Sequence, residues 1–223
     1  MATKADVEQT FEVTVPAGDV RLAGDLTMPD GAAGVVAFAH GSGSSRHSPR
    51  NQFVARELQS GGLATLLVDL LTPDEEAVDA RTRHLRFDID LLARRLTGAT
   101  AWLKAQPGTS SLPVGLFGAS TGGGAALVAA AHIPGGIRAV VSRGGRPDLA
   151  GDALPEVQAP TLLIVGGDDI PVIPLNRQAL AQMRSEKSLE IIPGATHLFE
   201  EPGTLEQVAT LARDWFLRYL PPR

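Results

Sequence analysis

Gly118-Ala119-Ser120-Thr121-Gly122-Gly123 follows the apolar run Val114-Gly115-Leu116-Phe117 and leads into Gly124-Ala125-Ala126-Leu127-Val128, a small-residue stretch of helical character. The join reads as a sharp strand-to-helix turn with a serine at its apex. Such a turn strains the serine backbone and projects its oxygen outward, and neighbouring chain passes so close that the positions two before and two after must be tiny. Glycine stands at both, at 118 and 122. The following helix points its positive end at the serine, favouring negative charge that develops there. A Walker-type phosphate loop would need Gly-Lys-Ser/Thr, and there is no lysine here. A dinucleotide fingerprint needs three glycines in another spacing after the first parallel strand, whereas this run is the third. The motif predicts Ser120 as a nucleophile.

Outward from this turn, apolar runs of strand length alternate with helical patterns. Residues 10–15 and 20–28 alternate in polarity across Pro16-Ala17-Gly18-Asp19 and read as an antiparallel hairpin, with Leu22, Leu26 and Met28 on one face. Residues 35–39, 63–70, 113–117, 137–141, 161–165 and 189–192 are short, mostly unalternated and rich in β-branched residues, as parallel strands buried on both faces should be. Between them, Ser48-Pro49 opens a helix carrying Phe53, Val54 and Leu58 that Gly61-Gly62 stops. A second helix spans 89–105 with Ile89, Leu92, Leu96 and Leu103 on one stripe. The last opens on Thr204 and Gln207 as a capping-box pair, places Leu205, Val208, Ala209, Ala212, Trp215, Phe216 and Tyr219 at helical spacing, and ends at Pro221-Pro222. The expected fold class is α/β: a mostly parallel eight-stranded sheet with an antiparallel N-terminal hairpin and helices on both faces. Residues 72–88, rich in both charge signs, read as a solvated loop, with a wall of a substrate site as the alternative.

The 223 residues suffice for one domain, and no linker, repeat or low-complexity tract divides 1–223. A net charge of −5 argues against nucleic acid as partner. With no cysteine, disulfides, thiolate metal sites and a cysteine nucleophile drop out together, and no metal is expected. The opening MATKADVEQT has no apolar secretory core, and no apolar run approaches the ~18–20 residues that span a bilayer. The expectation is a cytoplasmic protein with no membrane partner.

A serine needs a positioned base and an orienting acid, in the chain order serine, acid, histidine on a sheet of this kind. His132 falls within the helix begun by the turn, too near to fold back, which leaves His197 in the loop Pro193-Gly194-Ala195-Thr196-His197 after the last strand. The acid should lie in Gly166-Gly167-Asp168-Asp169, where either aspartate could serve. Ligands of open α/β sheets bind at this carboxyl end of the strands. An oxyanion hole would take the amide of Thr121 and one from the glycine-rich loop His40-Gly41-Ser42-Gly43-Ser44, with Ser42 as the donor and Gly43 as the alternative. His40 reads as a residue holding that loop. Arg46 and Arg143 could bind a substrate carboxylate, but ion pairs with Asp148 or the acidic stretch 72–88 are the favoured reading.

On these motifs the sequence resembles the α/β-hydrolase superfamily, and within it the small lidless esterases related to dienelactone hydrolase. The resemblance runs over essentially the whole chain. It implies transfer of an acyl group from an ester to water through an acyl-enzyme, with no cofactor, and the expected partner is a small-molecule ester substrate. Relatives with the Gly-Gly-x-Asp pattern carry the acid at its last position, which is Asp169 here, ahead of Ile170-Pro171-Val172. Successive residues leaving a strand also point to opposite sides, so one aspartate can face His197 and the other solvent. One departure is the serine: dienelactone hydrolases proper carry a cysteine nucleophile, so their lactone substrate is not carried over. Another is the connection of about twenty residues after 137–141, with Pro147, Pro155 and Pro160, which leaves no room for the helical cap of many relatives. The expected activity is a carboxylic-ester hydrolase favouring short acyl chains, with Ser120, Asp169 and His197 as the triad. The alternatives are thioester, lactone or peptide cleavage or perhydrolysis on the same residues; a non-catalytic receptor on this fold would usually lack one of the three.

Overall fold

The computed structural model describes residues 9–220. Gln9–Ala17 (β1) and Val20–Met28 (β2) form the expected hairpin, turning at Gly18 with φ 69°. Val35–Ala39 (β3), Ala64–Val68 (β4), Val114–Ala119 (β5), Ile137–Arg143 (β6), Thr161–Gly166 (β7) and Lys187–Ile192 (β8) complete a sheet ordered β1-β2-β4-β3-β5-β6-β7-β8. β2 runs antiparallel to β4, and every pair from β4 to β8 is parallel. The chain steps one way from β3 to β4 and the other way from β5 to β6. The loops leaving β3 and β5 therefore part at their carboxyl ends and open a crevice, the usual ligand position in such sheets.

Period-two burial explains why these strands do not alternate in polarity. Val35, Ala37 and Ala39 of β3 enter one core with Leu116, while Val36 and Phe38 enter the other with Phe117. Ile89–Ala105 (α3) and Thr121–His132 (α4) cover the first face; Pro49–Ser60 (α1) and Thr204–Tyr219 (α6) cover the second. Gly115 lacks a side chain because a Cβ there would stand 2.7 Å from Phe216. Val172–Gln182 (α5) joins β7 to β8.

Three expectations need correction. Residues 72–88 are not irregular: Pro73–Thr82 (α2) is a helix and Leu85–Phe87 a 3-10 turn. Thr72 and Glu75 form a full capping box there, and the helix ends at Arg83 with φ 57°. Periodicity missed it because only Asp79 is buried, so no apolar stripe exists to be read. At α6, Thr204 is the first helical residue rather than the cap; its hydroxyl donates back to the Glu201 carbonyl (2.7 Å), and Gln207 donates to the Gly203 carbonyl (3.1 Å). The run 63–70 also yields strand only over Ala64–Val68, because the Leu70 amide leaves the sheet to donate to His40. Pro221-Pro222 lie outside the described residues. Between β6 and β7 there is a short 3-10 segment, Pro147–Glu156, broken at Gly151 and packed on α4, and no cap domain. Among the described residues no helix is long and apolar enough to cross a membrane.

Candidate active site

Ser120 joins β5 to α4 with φ 51° and ψ −121°, a region that side-chain-bearing residues rarely occupy and that costs of order 1–3 kcal/mol. The surroundings hold it there. A Cβ on Gly118 would lie 2.3 Å from the Gly122 carbonyl oxygen, and one on Gly122 would lie 2.2 Å from the Ala39 carbonyl oxygen. Both are impossible contacts, so glycine is required at each position. The Ser120 amide donates to the Arg143 carbonyl (3.3 Å), and its own carbonyl accepts from Gly123 and Arg146 (3.0 Å each).

The loops after β7 and β8 are brought together by a similar close approach. A Cβ on Gly166 would lie 2.3 Å from the Ala195 carbonyl oxygen, and the Asp168 amide donates to that same carbonyl at 2.9 Å. This seats His197 against Asp169, whose Oδ2 is 2.7 Å from Nδ1. Asp168 is exposed, whereas the Asp169 side chain is 10% exposed. A proton on Nδ1 donated to Asp169 leaves Nε2 as an acceptor. His197 and Ser120 line one cavity of about 230 Å³, together with Gly41, Ser42, Asn51, Arg143 and Leu198. The serine hydroxyl and the imidazole are not hydrogen-bonded to each other, a common state of such pairs without substrate.

The loop after β3 forms the opposite wall. His40 accepts from the Leu70 amide through Nε2 (3.0 Å), and its Nδ1 meets the Gly41 carbonyl (3.0 Å). It is a buried strut, as its position implied. A Cβ on Gly41 would lie 3.1 Å from that of Ser120, so the loop lies directly against the serine. The amides of Ser42, Gly43 and Thr121 donate to nothing among the described residues and are free to bind an oxygen. His132 ends α4, exposed and away from these groups.

Across the same loop lies a larger cavity of about 490 Å³, lined by His40, Leu71, Glu76, Asp79, Arg86 and Thr121. It contains neither Ser120 nor His197 but shares Gly41, Ser42, Ser44 and Ser48 with the smaller one. α2 and the 3-10 turn are its outer wall. Buried Asp79 anchors that wall, accepting from the amides of Leu85 (2.8 Å) and Arg86 (3.2 Å) and from the Arg86 guanidinium. Burial pushes the Asp79 carboxyl up, but the Arg86 side chain and the two amides outweigh it and hold it below the usual carboxylate range.

The arginines depart from expectation in different ways. Arg46 pairs with Asp69 and Asp25 (3.4 Å), not with residues 72–88. Asp148 pairs with Arg146 at 2.7 Å, not with Arg143. Arg143 donates to the Asn51 Oδ1 (3.0 Å) and has no carboxylate partner among the described residues. Burial, and then the charge of Arg50, push it down to about 10, so it remains cationic at neutral pH. Sequence reasoning did not single out Asn51 or Arg50; both sit in the first turn of α1, where their cap-proximal positions gave no chemical signal.

A mostly parallel eight-stranded sheet with a serine turn after β5 and a histidine loop after β8 defines an α/β-hydrolase without a lid. The family model described as "Dienelactone hydrolase family" matches residues 22–219, and the chain belongs to that family. It is 65% identical to a dienelactone hydrolase of Anabaena variabilis of known structure, with a TM-score of 0.94 over 96% of this chain and 99% of that one. A lidless α/β serine hydrolase of Xanthomonas campestris has the same fold at 21% identity, with a TM-score of 0.75 over 96% and 97% of the two chains. A Mycobacterium tuberculosis protein with a provisional phosphoribosyl transferase name is 63% identical over 209 residues, which are 94% of this chain and 46% of that protein. The chain thus spans about half the length of that relative.

Proposed function

We propose that this chain is a serine hydrolase that cleaves small carboxylic esters through an acyl-enzyme. One observation carries the reading: a serine held in a strained strand-to-helix turn shares a cavity with a histidine whose far nitrogen is fixed by a carboxylate. His197 Nε2 takes the Ser120 proton as the oxygen attacks the ester carbonyl, and Asp169 stabilises the resulting imidazolium. The amides of Ser42 and Thr121 donate to the carbonyl oxygen as it becomes an oxyanion. Collapse expels the alcohol, which receives its proton from His197, and water then releases the acid by the same steps in reverse. The transferase name belongs to a protein of which this chain spans less than half, and it supplies no argument about this pocket. A fluorophosphonate probe tests the reading. It should add one label, at Ser120, and release of para-nitrophenol from a short ester should stop with labelling. Undiminished labelling in Ser120→Ala overturns it.

A further inference from the structure

The loop 40–48 joins β3 to α1 and carries Ser42, yet it has little structure of its own. Within it the Ser44 amide donates to the Gly41 carbonyl (3.1 Å) and the Ser48 amide to the Ser45 carbonyl (3.0 Å). Of residues 42–47, Arg46 alone hydrogen-bonds outside the loop among the described residues, and its partner is Asp69. One Asp69 oxygen accepts from the Arg46 amide (2.7 Å) and the other from its guanidinium. A single side chain thus fixes both the main chain and the side chain of residue 46. Leu70, the next residue, holds the other end of the loop through His40 (3.0 Å). Asp69 is itself tied to the sheet, its amide donating to the Ala23 carbonyl of β2 (2.9 Å), and Arg46 also reaches Asp25 of β2 (3.4 Å). Burial alone would lower the Arg46 guanidinium, but Asp69 and then Asp25 outweigh it and hold it above its ordinary value. The clamp keeps its charge.

We infer that Asp69 is a positioning residue for the oxyanion hole, acting through Arg46 on the amide of Ser42. The inference rests on the esterase reading and extends it to a residue that lines neither cavity. Ser42 lies between anchors at 40 and 46, and both anchors end on consecutive residues leaving β4, so slack at either one moves it. Donors aimed in advance at a developing oxyanion are effective because they need no reorganisation as the charge forms. A neutral substrate carbonyl gains less from them, so a loosened loop weakens the transition state more than the bound substrate. An ion pair serving stability alone would leave the folded enzyme as fast as before.

Para-nitrophenyl acetate and its thionoester, in which sulfur replaces the carbonyl oxygen, test this. Sulfur is a weak hydrogen-bond acceptor, so the ratio of kcat/KM for the two esters reads the oxyanion hole. In Asp69→Ala, kcat and kcat/KM for the oxygen ester should fall together by roughly 10- to 100-fold, short of the ~10²–10³ that loss of a whole donor costs, with KM near wild type. The thionoester should lose much less, so the ratio falls with kcat. Asp69→Asn keeps an acceptor for the Arg46 amide but sets an NH₂ against the guanidinium, and should lie between wild type and Asp69→Ala. Arg46→Met leaves the amide bond to Asp69 in place and should show the same shift of ratio, smaller in size. Circular dichroism identifies the folded variants. If Asp69→Ala does not fold, the two milder variants are read in the same way. An unchanged kcat in the folded Asp69 variants, or a loss equal for both esters, overturns the inference. Fluorophosphonate labelling separates the two failures. A labelled Ser120 with an unmoved ratio defeats only this inference, whereas absence of labelling in the wild type defeats the esterase reading beneath it.

Discussion

Asp169 lies 2.7 Å from the Nδ1 of His197, while Asp168, one residue earlier on the same turn, is exposed. Two adjacent carboxylates thus occupy different environments within one turn. If the acid holds one imidazole tautomer and stabilises the imidazolium, only Asp169 can do so. Asp169→Asn keeps the shape and removes the charge, a change that cost ~10⁴ in kcat in a serine protease. Ester hydrolysis by Asp169→Asn should fall by several orders of magnitude in a folded protein, and Asp168→Asn should stay within a few-fold of wild type. The opposite ranking would assign the acid to Asp168.

Gly166 is what lets those two loops meet, and it makes a second prediction. A methyl group there would stand 2.3 Å from the Ala195 carbonyl oxygen, so Gly166→Ala must push the loop carrying His197 away from β7. Misplacing a catalytic group by about 1 Å can cost ~10² in rate. Gly166→Ala should therefore lose about that much turnover while circular dichroism still reports a native sheet. Normal turnover would show that the loop relaxes freely.

The strained serine predicts a trade between stability and activity. Ser120→Ala keeps a Cβ at φ 51° and retains the strain, whereas Ser120→Gly relieves it. Thermal unfolding should find Ser120→Gly more stable than Ser120→Ala by about 1 kcal/mol, with both inactive. A less stable glycine variant would mean that the strain is negligible.

Much of this was legible in the chain because it follows from close approach and two-sided burial. Gly118 and Gly122 flag the serine turn, each a position where a Cβ would strike backbone. Unalternated runs such as Val35-Val36-Ala37-Phe38-Ala39 announce strands covered on both faces. What escaped was held by polar contacts with no period. α2 buries one aspartate and no apolar stripe, so it read as loop although Thr72-Pro73 and Glu75 mark its start. The lone Arg143 escaped because pairing depends on which carboxylates come near in space, and Asp148 is nearer to Arg146.

The wall built on α2 should respond to acid. Asp79 has a carboxyl held below its ordinary value, so its stabilising contribution is complete above the unfolded value of about 3.9 and is lost as pH falls through the lower folded one. Asp79→Asn removes the charge at every pH and should cost about 1–3 kcal/mol, the range for hydrogen bonds to a charged group. Hydrogen exchange over residues 73–88 should rise in this variant at neutral pH, and in the wild type only under strong acid. Equal protection in both at pH 7 would show that Asp79 does not anchor the wall.

Cavity shape makes the last prediction, on acyl length among neutral esters. The two cavities of about 230 and 490 Å³ meet at the loop carrying Ser42, and neither is roofed, because the 3-10 segment between β6 and β7 packs on α4 instead of over the serine. Each methylene buried in a deep tunnel would contribute ~0.8 kcal/mol, or roughly four-fold in kcat/KM, so a tunnel would reveal itself by a steep rise along a series of chain lengths. An unroofed cleft buries the first few carbons and leaves the rest in water, and the rise should stop there. We expect kcat/KM for para-nitrophenyl esters to peak at or below about four to six acyl carbons, with no further gain from added methylenes left in water. A maximum at about twelve carbons, or activation by a lipid interface, would require an apolar tunnel that these walls do not enclose.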